Sequence, residues 1–348
     1  MVSTHYIVLL AVFCVIPAAC TNRGVPSALS DRVWDGAVVG VRGELLDLKD
    51  LQVLPLGPFV KSVVGDEAFR AYQMPEEELR LYFALASTNG RFLACKAHDG
   101  SSVCFIETST REFSIVPCPE RGYRISLGAW NRDEESLLCF CYREIGERQV
   151  GHLYLLRHNG EKWLWQKLTG AGEVEGQRGS YEITKGAWAD NSTILFSSDG
   201  RIMRFDTRTQ VLEQGPEGHA AYSLGKDKVM WKNTDSPMAP FAMAKWNRDE
   251  KVAQARAMRG NGVVLNGWPI ISPNSDMVFS SDRSFSSYSG HAAISDRPHL
   301  YDVKAERFYR LSSSLAREES VMSVFASGVW IRDDHGLRGA AARALSGK

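Results

Sequence analysis

Short apolar runs, broken every few positions by Asp, Asn, Lys or Thr, recur along this chain of 348 residues. Two such runs joined by a polar turn read as a β-hairpin. The unit occurs as Leu45–Leu54, Cys104–Phe113, Leu153–Trp163, Ile202–Val211, Phe241–Val252 and Leu300–Phe308. The residues that open the second run are Val53, Phe113, Trp163, Val211, Val252 and Phe308, spaced by 60, 50, 48, 41 and 56 positions. A strand-rich repeat of about 40–50 residues is the pattern of sheets arranged around a ring.

Further landmarks fall in step with these hairpins. Gly128-Ala-Trp130 and Gly186-Ala-Trp188 each precede a polar turn and an apolar run, and Phe196-Ser-Ser-Asp199 recurs as Phe279-Ser-Ser-Asp282. The fullest copy of the unit is Ile271–Leu311. Its opening, Ser272-Pro-Asn-Ser-Asp-Met-Val-Phe279, resembles the Ser-Pro-Asp-Gly turn and following strand of the WD40-like repeats in TolB-type propellers. In other copies Ala189-Asp-Asn-Ser192 and Asn131-Arg-Asp-Glu134 stand in its place. The resemblance implies an all-β fold, a β-propeller of six blades, or seven if Pro58–Leu79 supplies another. That stretch also holds Met74-Pro-Glu-Glu-Glu78, which reads as a helical or loop insertion. Val38–Leu56 gives a hairpin without a complete preceding blade, and Val321–Ala326 with Val329–Arg332 gives strands without a following hairpin. Pairing the two ends would complete one blade and remove an open sheet edge. The expected domains are a signal peptide over 1–19, a tether over 20–32, one propeller over 33–335 and a flexible tail over 336–348.

Composition narrows the function classes. Forty-one basic residues balance forty-one acidic ones, so no long-range field favours nucleic acid or an anionic membrane. Tyr6–Ala19 is apolar, short for a bilayer span and ends in small residues, as a signal peptide does, although Met1–His5 carries no Lys or Arg. Cys20 follows Pro17-Ala18-Ala19 and resembles the cysteine of a bacterial lipobox, with Pro17 where Leu, Val or Ile is expected. The expected location is secreted or periplasmic, with the membrane reached only through lipid on Cys20.

Cys95 and Cys104 flank Asp99-Gly100, a two-residue hairpin signal. Counting outward from that turn makes them a non-hydrogen-bonded pair, close enough for a disulfide. Cys139 and Cys141 share one face of a strand, and either can reach Cys118. The alternative is that all five are buried thiols acting as small apolar residues.

The chain contains no Gly-x-Ser-x-Gly elbow, His-Glu-x-x-His pair, Walker loop or Cys-x-x-Cys knuckle. Neither cofactor nor metal is expected. Asp333-Asp334-His335 reads as a solvated turn, and Trp130 and Trp188 read as packing between blades. Candidate ligand-binding residues stand where the innermost strands begin: Tyr123, Arg124, Tyr181, Glu182 and the loop residue Trp268. In propellers such positions ring one mouth of the channel, where loops from several blades converge on a ligand. The reading is an extracytoplasmic, non-catalytic propeller, monomeric or part of a complex, that binds a protein, peptide or glycan at a ring face. Two alternatives stay open. One is a hydrolase, lyase or lactonase whose site gathers one residue from each of several blades. The other is a lipid-anchored scaffold of an envelope complex.

Overall fold

The structure, a computed structural model, describes residues 36–49, 52–75, 77–131, 135–177, 188–224, 228–232, 241–246, 256–257, 259–260, 263–264, 269–286, 293–305, 307–310 and 328–347. The signal-peptide and tether segments, with Cys20, lie outside them.

The chain is all-β apart from short helical segments, and its strands pair antiparallel with their sequence neighbours. Among the described residues, six sheets of three or more strands follow one another. Sheet one is Ala37–Val39, Glu44–Asp47 and Val53–Pro55, with Val329–Ile331 joined at its edge. Sheet two is Ala84–Ala86, Phe92–Lys96, Ser102–Glu107 and Phe113–Pro117. Sheet three is Arg124–Trp130, Ser136–Ile145, Arg148–His158 and Trp163–Lys167, with Val174–Gln177 also paired to its third strand. Sheet four is Thr193–Ser198, Arg201–Asp206 and Val211–Glu217, and an isolated bridge joins Trp188 to Ile194 ahead of it. Sheet five is His219–Ser223, Lys228–Lys232, Phe241–Lys245 and Arg256–Ala257. Sheet six is Ile270–Ile271, Met277–Ser286, Ala293–Asp302 and Arg307–Arg310.

The recurring hairpins of the sequence are the two outermost strands of these sheets. Leu45 pairs with Leu54, Ile106 with Phe113, His158 with Trp163, Asp206 with Val211 and Tyr301 with Phe308. In the Phe241–Val252 copy the second half, Val252 included, lies outside the described residues. Ala37, Val38 and Val39 pair with Ile331, Trp330 and Val329, so the last described strand completes the first sheet.

Apolar side chains fill the spaces between consecutive sheets. Leu93, Cys95 and Ile106 of sheet two pack with Val39 and Leu45 of sheet one. The opposite face of sheet two supplies Phe92, Phe105 and Val103 to a cluster with Leu127, Cys139 and Trp163 of sheet three. The pattern repeats between sheets three and four, four and five, and five and six. A sheet buried on both faces explains why its central strands read as continuous apolar runs. Ile270–Ile271 of sheet six in turn lies against Val329–Ile331 of sheet one.

Trp130 and Trp188 are devices of this packing, as expected. The Trp130 Nε1 donates to the Leu85 carbonyl at 3.3 Å, and Trp188 Nε1 donates to the Ala129 carbonyl at 3.0 Å. Each indole thus reaches back to the first strand of the preceding sheet. Trp130 also stacks on Phe92 at 6.0 Å, while Phe105 stacks on Trp163 at 3.9 Å.

Three expectations are corrected. The insertion before sheet two is helix α1, Gly57–Phe69, while Glu77–Leu81 near the anticipated site is a strand paired with Gln73–Met74. Pro58 sits in the helix's first turn, where its missing N–H is harmless. The tail forms helix α2, Leu337–Leu345, whose Leu337, Ala340 and Ala341 are buried against the first core cluster. Asp333 caps it: its carboxylate accepts from Leu337 N at 2.6 Å and Arg338 N at 3.2 Å, and Arg338 pairs with buried Asp47. Finally, Cys95 stands opposite Cys104 as expected, but the turn spans four residues, with Ala97 N donating to Ser102 O at 3.0 Å. Parity from that bond makes the cysteines a hydrogen-bonded pair, with the wider spacing of about 5.5 Å. Both are free, buried thiols.

Candidate functional site

In each sheet the first strand begins beside the end of the second. Phe83 O accepts from Lys96 N at 2.9 Å in sheet two, and Arg124 stands opposite Tyr142 in sheet three. The segment leading into sheet three rests on the turn of sheet two, with Cys118 N donating to Ser101 O at 2.8 Å and Ile125 N to Gly100 O at 2.9 Å. Gly100 has φ +73, and a Cβ there would meet Arg124 Cβ at 3.0 Å. Its missing side chain therefore allows both the turn and the close seating of Arg124. Gly218 N donates to Gly200 O at 2.8 Å, the equivalent contact between sheets four and five. Strand starts and turns of neighbouring sheets thus share one face.

On that face the structure brings Tyr123 and Arg124 together with a second cation. The Arg143 guanidinium lies over the Tyr123 ring at 5.9 Å, and Arg124 pairs with Glu144 at 3.5 Å. Tyr123 is half-buried against the cluster between sheets two and three, whereas Arg124 is exposed. Tyr181, Glu182 and Trp268 lie outside the described residues. Arg143 escaped sequence reasoning, and only its place near the end of a strand's exposed tip could have signalled it.

Just inside this face lies a polar cluster. The Tyr154 hydroxyl donates to Glu120, whose carboxylate also pairs with Lys167 at 3.1 Å. Burial pushes the Glu120 carboxyl up, but these partners outweigh it and hold it below its ordinary value. Cys118 is hydrogen-bonded to Cys141, which lowers the half-buried Cys118 thiol. Burial raises Cys139 and Cys141 far above the ordinary thiol range. Such thiols are poor nucleophiles, so the cluster's chemistry is that of packing, with Cys118 its one accessible thiol.

At the other end of sheets three and four is an open groove of about 700 Å³, lined by Glu135, Arg157, His158, Leu164, Asn191 and Arg208 among others. Register separates it from Arg124: Ser136 opposes Arg157 and His158 opposes Trp163, at the end where Trp130 finishes the first strand. The groove is built from residues far apart in sequence on turns of two sheets, and no motif marks it.

Among the described residues no three His, Cys, Asp or Glu side chains are grouped to hold a metal, and no helix is long and apolar enough to cross a membrane.

No protein-family model and no curated protein matches the chain. Solved structures are similar to it at low identity. A putative TolB from Agrobacterium tumefaciens is 12% identical, with 66% of this chain and 79% of that one covered and a TM-score of 0.43. Oligogalacturonate lyase in complex with manganese is 11% identical, covering 81% and 74%, at 0.45. The Swd1 β-propeller domain from Myceliophteria thermophila is 13% identical, covering 79% and 82%, at 0.41. TolB and a β-propeller domain are thus among the structures this chain is similar to.

Proposed function

We propose that this chain is an extracytoplasmic, non-catalytic β-propeller of six blades that binds a protein, peptide or glycan on the face where its innermost strands begin. Supporting the ring are six sheets packed in sequence, the contact of the sixth with the first, and the pairing of Val329–Ile331 with Ala37–Val39. Supporting the compartment is the apolar Tyr6–Ala19 segment. The observation that carries the binding face is Arg124 seated against Gly100 of the neighbouring sheet's turn, beside Tyr123 with the Arg143 guanidinium over its ring. Aromatic and guanidinium groups on converging turns are the side chains that dominate recognition surfaces.

A second reading places the ligand in the groove at the opposite end, favoured by its size and by Arg157 and Arg208 at its lining. Both readings meet one test. The full chain, Tyr123→Ala/Arg124→Ala and Arg157→Ala/Arg208→Ala are applied to arrays of peptides and of glycans. The first reading expects the first double variant to lose the wild-type ligands and the second to keep them. The reverse pattern assigns the groove, and an array on which wild type binds nothing counts against both.

A further inference from the structure

A buried ammonium ends the second strand of sheet two. Lys96 is 6% exposed, and its Nζ lies over the Tyr82 ring at 5.2 Å and the Phe83 ring at 5.6 Å. A charge taken out of water ordinarily brings a carboxylate with it. Lys96 has none. Among the described residues no carboxylate lies at ion-pair distance from its Nζ, and the charged neighbour it senses is Arg124, of its own sign. Burial first, then Arg124, lowers its pKa to about 8. The two rings partly offset the lost hydration through their negative faces, yet they carry no net charge. The Lys96 ammonium thus sits beneath the proposed binding face with no carboxylate at ion-pair distance among the described residues, next to an Arg124 that is held by Glu144 at 3.5 Å.

We infer that Lys96 and Arg124 receive the carboxylate of a peptide ligand, an inference that rests on the binding face proposed above. The anion's charge is argued from its surroundings. Glu144 already pairs with Arg124 at 3.5 Å, so a dianion such as phosphate meets more repulsion there than a single carboxylate does. Its parent molecule is argued from the rings. The ammonium lies over one face of each of Tyr82 and Phe83, the face toward the site, and so takes the place where a sugar bound to Lys96 would stack. Ring edges suit an apolar side chain next to a carboxylate. Tyr82, 37% exposed, leaves part of its ring open to such a side chain.

The test follows Lys96 itself. In the full chain with ¹³C,¹⁵N-lysine, the Lys96 Cε and Nζ resonances are assigned by their loss in Lys96→Met, which removes the ammonium and keeps an unbranched apolar side chain. N-acetylglycine, N-acetylglycinamide, galacturonate and inorganic phosphate are then titrated separately. The expected result is a saturable shift of the Lys96 signals with N-acetylglycine and none with its amide. Arg124→Gln should weaken that response severalfold, a readout independent of whether Lys96→Met folds well. An absent shift, or an equal one with the amide, overturns the inference. A stronger response to galacturonate or phosphate overturns the assignment to a peptide. If Lys96 is silent while Tyr123→Ala/Arg124→Ala still abolishes array binding, the face stands and only the carboxylate assignment fails.

Discussion

Four thiols, Cys95, Cys104, Cys139 and Cys141, are buried in the sheets, and burial raises each above its ordinary value, Cys104 to about 12. In the unfolded chain a thiol ionises near 9. Above that pH the folded chain holds more protons than the unfolded one, so stability falls as pH rises. In the Lys96→Met protein, where the opposing titration of that ammonium is absent, the urea midpoint should therefore drop between pH ~8 and pH ~10, and a flat midpoint would mean that the thiols are not buried. Of the five cysteines among the described residues, a thiol reagent under native conditions should label Cys118 alone, because it is half-buried and its thiol is lowered. Lys96 has the opposite sign. Its pKa falls from 10.5 to about 8, so across that window the unfolded chain holds the extra proton and stability rises with pH. Lys96→Met should stabilise the ligand-free chain by roughly 3 kcal/mol below pH ~8. The gain should shrink toward nothing near pH ~10.5; the difference in urea midpoint between the two proteins across that range is the measurement. A gain that stays constant with pH would show that the ammonium is not the cause.

Between neighbouring sheets the aromatic contacts carry the packing. Trp130, Phe92, Phe105 and Trp163 form one group, and each ring pair is worth about 0.5–1.5 kcal/mol beyond its burial. Trp130→Ala should cost about 3–5 kcal/mol in chemical denaturation. Gly151→Ala should be as damaging for a different reason, since its Cβ would lie 2.0 Å from the Cys141 carbonyl oxygen of the paired strand. The outer hairpins were legible because a polar turn between two apolar strands is a local signal. Two local readings went astray for identifiable reasons. The insertion was expected at Met74-Pro-Glu-Glu-Glu78, whereas α1 begins near Pro58, and the cue that marks it is that proline in the first turn. The Cys95–Cys104 parity was inverted because Asp99-Gly100 reads as a two-residue turn, whereas Ala97 and Ser102 close a longer one.

At the scale of the whole molecule, the first and last described strands meet in one sheet, with Val38 opposite Trp330. Deleting residues 329–348 should expose Ala37–Val39 as an unpaired edge and remove α2 from the first core cluster. Loss of a single cooperative transition, with aggregation, is the expected outcome in calorimetry and light scattering. The pairing of the ends was legible from leftover half-units at both termini. The proposed binding face is legible in the sequence only in part: Tyr123 and Arg124 are candidates from the repeat, whereas Arg143 and Lys96 enter through contacts that no local pattern records. The groove behind Arg157 and Arg208 was not legible at all, since it exists only once two sheets are placed side by side. Hydrogen exchange of the full chain, with and without its tightest array ligand, tests the central claim most directly. The account predicts new protection at residues 97–102 and 123–125 with the 157–164 and 208 segments unchanged. Protection confined to those latter segments would contradict it.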